Sequence, residues 1–312
     1  MKKGIAVIFP GQGSQYVGMG KEIFGFSEPA RDTFLQASDA LGYDVADLCF
    51  HGPETELNRT TRTQPCILTV SIALYRVLTE KGITLDAVAG HSLGEYSALV
   101  AAEVISFDGA VKLTEKRGQL MQDAAPEGKG LMAAVLGLER SKVDDICNAL
   151  ASGYAAAANY NCPGQVVIAG EKAAVEEAVQ ACREAGAKRA IPLAVSVPSH
   201  SRLMDEASRG LAELLARMSV NDPKVPLVNN ADARFLSRAE EIRESLTRQL
   251  SSPLLWEDSV REMSAAGMDT FIEVGPGKVL SGLIRRIIPD ASVYHVQDVK
   301  SLDNTLAQLT GS

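Results

Sequence analysis

A strand-length apolar run at residues 86–89 passes directly into Gly90-His91-Ser92-Leu93-Gly94 and then into the helix-prone stretch 95–102. A buried strand that becomes a helix without a spacer belongs to an α/β architecture, where helices cover both faces of a parallel sheet. The same alternation runs through most of the chain. Residues 5–9 read as a strand, and 69–80 as a helix with apolar Val70, Ala73, Leu74, Val77 and Leu78 on its inner positions. Residues 107–123 read as a second helix, with Ser106 placed as its N-cap. The fold class expected is therefore α/β with a largely parallel sheet.

The middle of the chain has a different texture. A strand at 130–138, a helix at 141–151, two strands at 155–159 and 165–169, a helix at 172–185 and a strand at 188–195 follow in order. That β-α-β-β-α-β succession is the ferredoxin-like unit. It predicts a small inserted subdomain over 129–196, carried by a larger body built from 1–128 and 197–312. The body resumes with a helix near 202–218, a strand near 225–229, helices near 239–250 and 256–265, and a strand at 270–274 that Gly275-Pro276-Gly277 ends.

Composition excludes several classes. No stretch approaches the roughly 20 apolar residues of a membrane helix. Lys2-Lys3 before Ile5–Phe9 superficially suggests a signal peptide, but the apolar run is too short and Pro10-Gly11 follows it. Cys49, Cys66, Cys147, Cys162 and Cys182 are odd in number and contain no C-x-x-C pair, so reduced thiols and a cytoplasmic location are expected. The four histidines show no metal-ligand spacing, so no metal is expected. A net charge of −8 opposes general nucleic-acid binding.

Gly90-His91-Ser92-Leu93-Gly94 matches the G-x-S-x-G nucleophile elbow in its required strand-to-helix setting. There the serine meets a helix N-terminus, and the backbone N–H of Leu93 is placed to receive an oxyanion. A serine hydroxyl needs a base within hydrogen-bond reach. His91 adjoins the nucleophile, His51 lies in a polar loop and His295 in a C-terminal strand. His200 closes Val197-Pro198-Ser199-His200-Ser201, a turn at the end of the insert, and is the best placed of the four. Two nucleotide-binding readings fail on spacing. Gly11-Gln12-Gly13 is followed by Gly18 instead of the third fingerprint glycine, and Gly275-Pro276-Gly277-Lys278 lacks the rest of a phosphate loop.

Phe9-Pro10-Gly11-Gln12-Gly13-Ser14-Gln15, Gly90-His91-Ser92-Leu93-Gly94-Glu95-Tyr96, the Arg117 helix, Val197-Pro198-Ser199-His200 and Val274-Gly275-Pro276-Gly277 occur in one order. Together they resemble the malonyl-CoA:acyl carrier protein transacylase family of fatty acid synthesis, from Phe9 to about Ile288. The resemblance implies an α/β-hydrolase-like body and a Ser92–His200 dyad. It implies a histidine oriented by the backbone carbonyl of Gln249, although sequence alone leaves a true triad with one of the intervening acids open. It makes Gln12 the second oxyanion donor and Arg117 the ligand of the malonyl carboxylate, in a guanidinium–carboxylate pair of two parallel hydrogen bonds. Met121 either lines the same pocket or fills the core, and the small Ser199 leaves room beside the acyl chain.

The implied reaction passes malonyl from malonyl-CoA through Ser92 to the phosphopantetheine thiol of an acyl carrier protein. It needs no cofactor beyond the coenzyme A thioester, and a monomer is expected. Lys188, Arg189, Lys278, Arg285 and Arg286 are either a docking patch for the acidic carrier or solvated surface charge. Alternatives are a trans-acting polyketide acyltransferase, a serine thioesterase or esterase, and a non-catalytic carrier-binding protein.

Overall fold

The computed structural model describes residues 4–125, 128–193 and 197–310. Its strands are β1 (Gly4–Phe9), β2 (Ala87–Gly90), β3 (Gly130–Leu136), β4 (Ala155–Cys162), β5 (Gln165–Glu171), β6 (Arg189–Pro192), β7 (Leu227–Val228), β8 (Phe235–Leu236), β9 (Met268–Val274) and β10 (Ser292–Val296). Residues 194 and 195 of the expected 188–195 strand lie outside the described residues.

Six strands form one sheet in the order β10-β9-β1-β2-β7-β8. It is parallel from β10 to β7, and β8 closes the edge as an antiparallel hairpin arm. β1 is apolar on both faces because helices cover both sides. Val7 and Phe9 pack into one core, Ala6 and Ile8 into the other. The register pairs Phe9 with Gly90 and Ile8 with Glu273. The loops leaving β1, β2 and β9 therefore emerge side by side at the carboxyl edge, where open α/β sheets bind ligands.

The remaining four strands make a separate antiparallel sheet, β4-β5-β3-β6, which is the strand order of a ferredoxin-like unit. Helices Arg140–Asn148 and Lys172–Glu184 cover one face over Ala133, Val135 and Ile168. Met132 and Val167, one residue out of phase, point to the other face. Backbone bonds from Leu254 N–H to the Ala158 carbonyl (2.8 Å) and from Tyr160 N–H to the Leu254 carbonyl (2.9 Å) tie β4 to the body.

Three sequence expectations differ from the structure. The helix expected over 69–80 spans Thr60–Glu80 and carries Pro65 inside it, where the missing N–H costs one backbone hydrogen bond without ending the helix. That early start matters, since Gly118 lets the Phe107–Ala124 helix approach the backbone of Thr60 and Thr61, where any side chain would collide. The helix near 202–218 is a 3-10 turn over Arg202–Met204 followed by Asp205–Ala216. The strand near 225–229 keeps only the two residues of β7. The helices Lys21–Phe26, Glu28–Leu41 and Val45–His51 had no sequence reading; Phe24 meets Phe34 and Phe50 edge to face, and Phe34 and Phe50 pack tilted.

Candidate active site

Ser92 sits on the turn between β2 and the Gly94–Ala101 helix with φ 53°, a left-handed conformation rare outside glycine. The two motif glycines are required by space. A Cβ on Gly90 would overlap the Gly94 carbonyl, and one on Gly94 would overlap the carbonyl of Phe9 at the end of β1. Asn230, just past β7, staples the turn. Its Oδ1 accepts from the Ser92 backbone N–H at 2.8 Å, and its Nδ2 donates to the Gly90 carbonyl at 2.7 Å.

His200 also has positive φ, at 59°, and its imidazole is buried. Its Nε2 is 2.8 Å from Ser92 Oγ, and its Nδ1 is 2.8 Å from the backbone carbonyl of Gln249. A carbonyl can only accept, so Nδ1 carries the proton and Nε2 presents its lone pair to the serine. Burial, then the charge of Arg117, push the His200 pKa down to about 3. Among the described residues no carboxylate is hydrogen-bonded to the imidazole, and a carbonyl occupies the orienting position.

Arg117 enters from the Phe107–Ala124 helix and is fully buried. Its Nη1 donates to Gln64 Oε1 at 2.8 Å, and its Nη2 to Gln249 Oε1 at 3.1 Å and to Ser92 Oγ at 3.2 Å. Its Nε, also buried, has no partner among the described residues. Burial disfavours the charged form, Tyr96 and the charge of Glu95 favour it, and among the described residues the guanidinium donates only to amide and hydroxyl oxygens. Gln64 in turn holds Met121, whose sulfur lies 3.4 Å from the Gln64 Nε2.

These groups line a cavity of about 370 Å³. Gln12, Ser92, Arg117, Met121, Ser199 and His200 contribute to its wall from the body. Met132, Asn159, Asn161 and Val167 form its roof from the second sheet. Leu93 is absent from the wall, since its side chain is buried. The Gln12 side chain donates to Thr60 Oγ1 at 3.2 Å, which anchors the loop after β1 beside the elbow. Gln249 is buried on the Ala239–Gln249 helix and serves His200 through its backbone and Arg117 through its side chain.

The other histidines are elsewhere or otherwise engaged. His91 turns away from Ser92 to meet Asn161 Oδ1 at 2.9 Å, under the edge of Trp256. His51 pairs with Asp47 on the surface, and His295 lies in β10. Sequence reasoning missed Asn230, Glu95 and Gln64. Asn230 carried a partial signal, as an amide side chain at the exit of an expected strand. Glu95 carried one as the residue following the elbow. Gln64 lay in a segment not read as helix. Of the five basic residues considered for docking, Lys188, Arg189 and Arg286 gather around one groove, while Arg285 is tied inward to the Val293 carbonyl at 2.8 Å. Among the described residues no cluster of His, Cys, Asp and Glu could hold a metal ion, and no helix is long and apolar enough to cross a membrane.

An acyl transferase domain model matches residues 7–302. The malonyl CoA-acyl carrier protein transacylase of Haemophilus influenzae is 50% identical over 306 residues, covering 97% of this chain and 98% of that protein. The crystal structure of an acyl carrier protein S-malonyltransferase from Vibrio cholerae superposes with a TM-score of 0.94 at 48% identity, over 96% of this chain and 99% of the other. A malonyl-transacylase solved in complex with its type II PKS acyl-carrier protein gives 0.96 at 47% identity, over 99% and 100%. The chain thus belongs to the acyl transferase family and, within it, to the malonyl CoA-acyl carrier protein transacylases.

Proposed function

We propose that the cavity takes malonyl-CoA, acylates Ser92 and passes the malonyl group to the phosphopantetheine thiol of an acyl carrier protein. The observation that carries this reading is Arg117, a buried cation within 3.2 Å of Ser92 Oγ whose hydrogen bonds, among the described residues, include none to a carboxylate. In a malonyl ester one methylene separates the carbonyl carbon from the free carboxylate. A guanidinium beside the nucleophile matches that length.

Ser92 Oγ–H gives its proton to His200 Nε2 as the oxygen attacks the thioester carbonyl. The oxyanion that forms is received by the backbone N–H groups of Leu93 and Gln12. The supporting features are the position of Leu93 at a helix N-terminus and the presence of Gln12 in the cavity wall. Collapse breaks the carbon–sulfur bond, and the departing thiolate recovers the proton from His200. In the second half-reaction the carrier thiol gives its proton to His200 and attacks the malonyl-Ser92 ester; the carbon–oxygen bond breaks and Ser92 Oγ takes the proton back, giving ping-pong kinetics without a cofactor. In this reading the body, 1–128 and 197–312, holds the chemistry and the 129–196 subdomain roofs it. The protein acts as a cytoplasmic monomer.

The test is intact-protein mass after brief exposure to malonyl-CoA, where wild type should gain one malonyl group on Ser92. Free malonate released without an adduct would favour a hydrolase instead. Because His200 is held near 3, the base stays unprotonated well below the usual imidazole range. Single-turnover loading should therefore stay flat as pH falls from 8 to 5.5; a tenfold loss per unit below about 6.5 would mark an ordinary histidine.

The carrier is proposed to dock on the groove bearing Lys188, Arg189 and Arg286. Lys188 and Arg189 are exposed, whereas Arg286 also donates to the Pro163 carbonyl at 2.9 Å and is better left intact. Lys188→Glu with Arg189→Glu should lower kcat/KM for the carrier about tenfold, in a salt-dependent way, and spare loading by malonyl-CoA. Unchanged carrier kinetics would remove the groove from consideration. The type II PKS complex keeps a polyketide carrier as a second reading, and paired kinetics with the two carrier types decide between them.

A further inference from the structure

Glu95, the second residue of the Gly94–Ala101 helix, lies buried behind the nucleophile and outside the cavity wall. One carboxylate oxygen, Oε2, accepts from Gln249 Nε2 at 2.8 Å and from the Asn230 backbone N–H at 3.1 Å. Both partners act directly on the reacting groups. Gln249 Nε2 also donates to the Ser92 carbonyl at 3.0 Å, while Asn230 staples the elbow on its other side.

A glutamine side chain has a donor end and an acceptor end, which a half-turn of the amide exchanges. Here the donor end faces Glu95 and the Ser92 carbonyl, and the acceptor end faces Arg117. The reverse orientation would set an NH2 group against the guanidinium and leave Arg117 without that acceptor. It would also turn the amide oxygen toward a carboxylate. An ionised carboxylate only accepts, so it selects one of the two orientations. We infer that Glu95 is a positioning residue for malonyl transfer, which fixes the Gln249 amide so that its oxygen holds Arg117 and, through Asn230, fixes the Ser92 turn. Burial raises the Glu95 pKa to about 7 even though the Gln249 and Asn230 donors lower it, so the ionised form that makes this selection prevails above that pH. This inference rests on the transacylase reading of Arg117 and Ser92.

Loading rates with malonyl-CoA and acetyl-CoA for wild type, Glu95→Gln and Glu95→Leu test it. Leucine fills the space and accepts nothing, so malonyl loading should fall about 100-fold and the malonyl-over-acetyl preference at least about tenfold. The glutamine oxygen can take both N–H groups, so Glu95→Gln should recover malonyl loading to within about tenfold of wild type with the preference kept. An unchanged preference in Glu95→Leu would mean packing alone and overturn the inference. So would Glu95→Gln behaving like Glu95→Leu. If Glu95→Leu does not fold, the wild-type protein still decides: the Gln249 side-chain NH2 must be protected from hydrogen exchange, and rapid exchange overturns the assignment. A wild type that takes no malonyl label sinks the transacylase reading, and the exchange measurement then judges the network separately.

Discussion

Ser92→Ala should take up no acyl group from malonyl-CoA, with a loss of turnover on the order of 10⁴–10⁶-fold. The effect is large because the nucleophile and base form one unit: His200 Nε2 has a single serine hydroxyl to deprotonate, 2.8 Å away. Other nucleophiles are poor substitutes. All five cysteines are buried, and burial pushes the thiol of Cys147 up to about 12 and raises that of Cys162, which keeps those two protonated. The variant should also fold as wild type does, since the elbow is held by Asn230 through the backbone of Ser92 and not through its hydroxyl. Intact mass after malonyl-CoA exposure reads the result. A stable malonyl adduct on the variant would refute the assignment of Ser92.

Arg117→Ala should reverse the acyl preference. In wild type the malonyl carboxylate can replace the Ser92 hydroxyl and engage guanidinium N–H groups that Gln64 and Gln249 leave free, gaining two charge-assisted hydrogen bonds of roughly 1.5–3 kcal/mol each. Their loss corresponds to about a 10²–10⁴-fold fall in malonyl kcat/KM. Acetyl-CoA meets the opposite situation. In wild type it leaves a buried cation unpaired, a penalty the alanine variant no longer imposes. The nucleophile should survive the change. Arg117 is one of the charges holding the His200 pKa down, so its removal lets that pKa rise from about 3 toward the ordinary imidazole value. The base then stays largely neutral at pH 7.5 or above, where acetyl loading should be measured. Loss of both acyl adducts, with the protein still folded, would mean that Arg117 supports the dyad instead of selecting the acid.

Much of this site is legible in the sequence, for identifiable reasons. The elbow is local: Gly90, Ser92 and Gly94 lie within five residues, and their identities answer steric demands of one turn. The insert is legible because its strand and helix periods follow one another in an order that few topologies accommodate. Elsewhere the signal is either masked or absent. Pro65 hides the first turns of the Thr60–Glu80 helix, and with them Gln64. The short β7 carries too little pattern to show that Asn230 stands against the elbow.

Periodicity and glycine spacing are properties of neighbouring residues, and they suffice for the α/β alternation, the serine on its strained turn and the turn that carries His200. Which histidine lies against the serine is decided only by packing. His200 and Ser92 are 108 residues apart, and the rival His91, adjacent to Ser92, turns instead to Asn161. Packing likewise puts a carbonyl of Gln249 in the place of an acid, and sets Glu95 and Asn230 to work behind the nucleophile. The physical reason is that buried polar groups must find partners wherever the fold brings them. Those partners here come from helices and loops whose local sequences hold no record of one another.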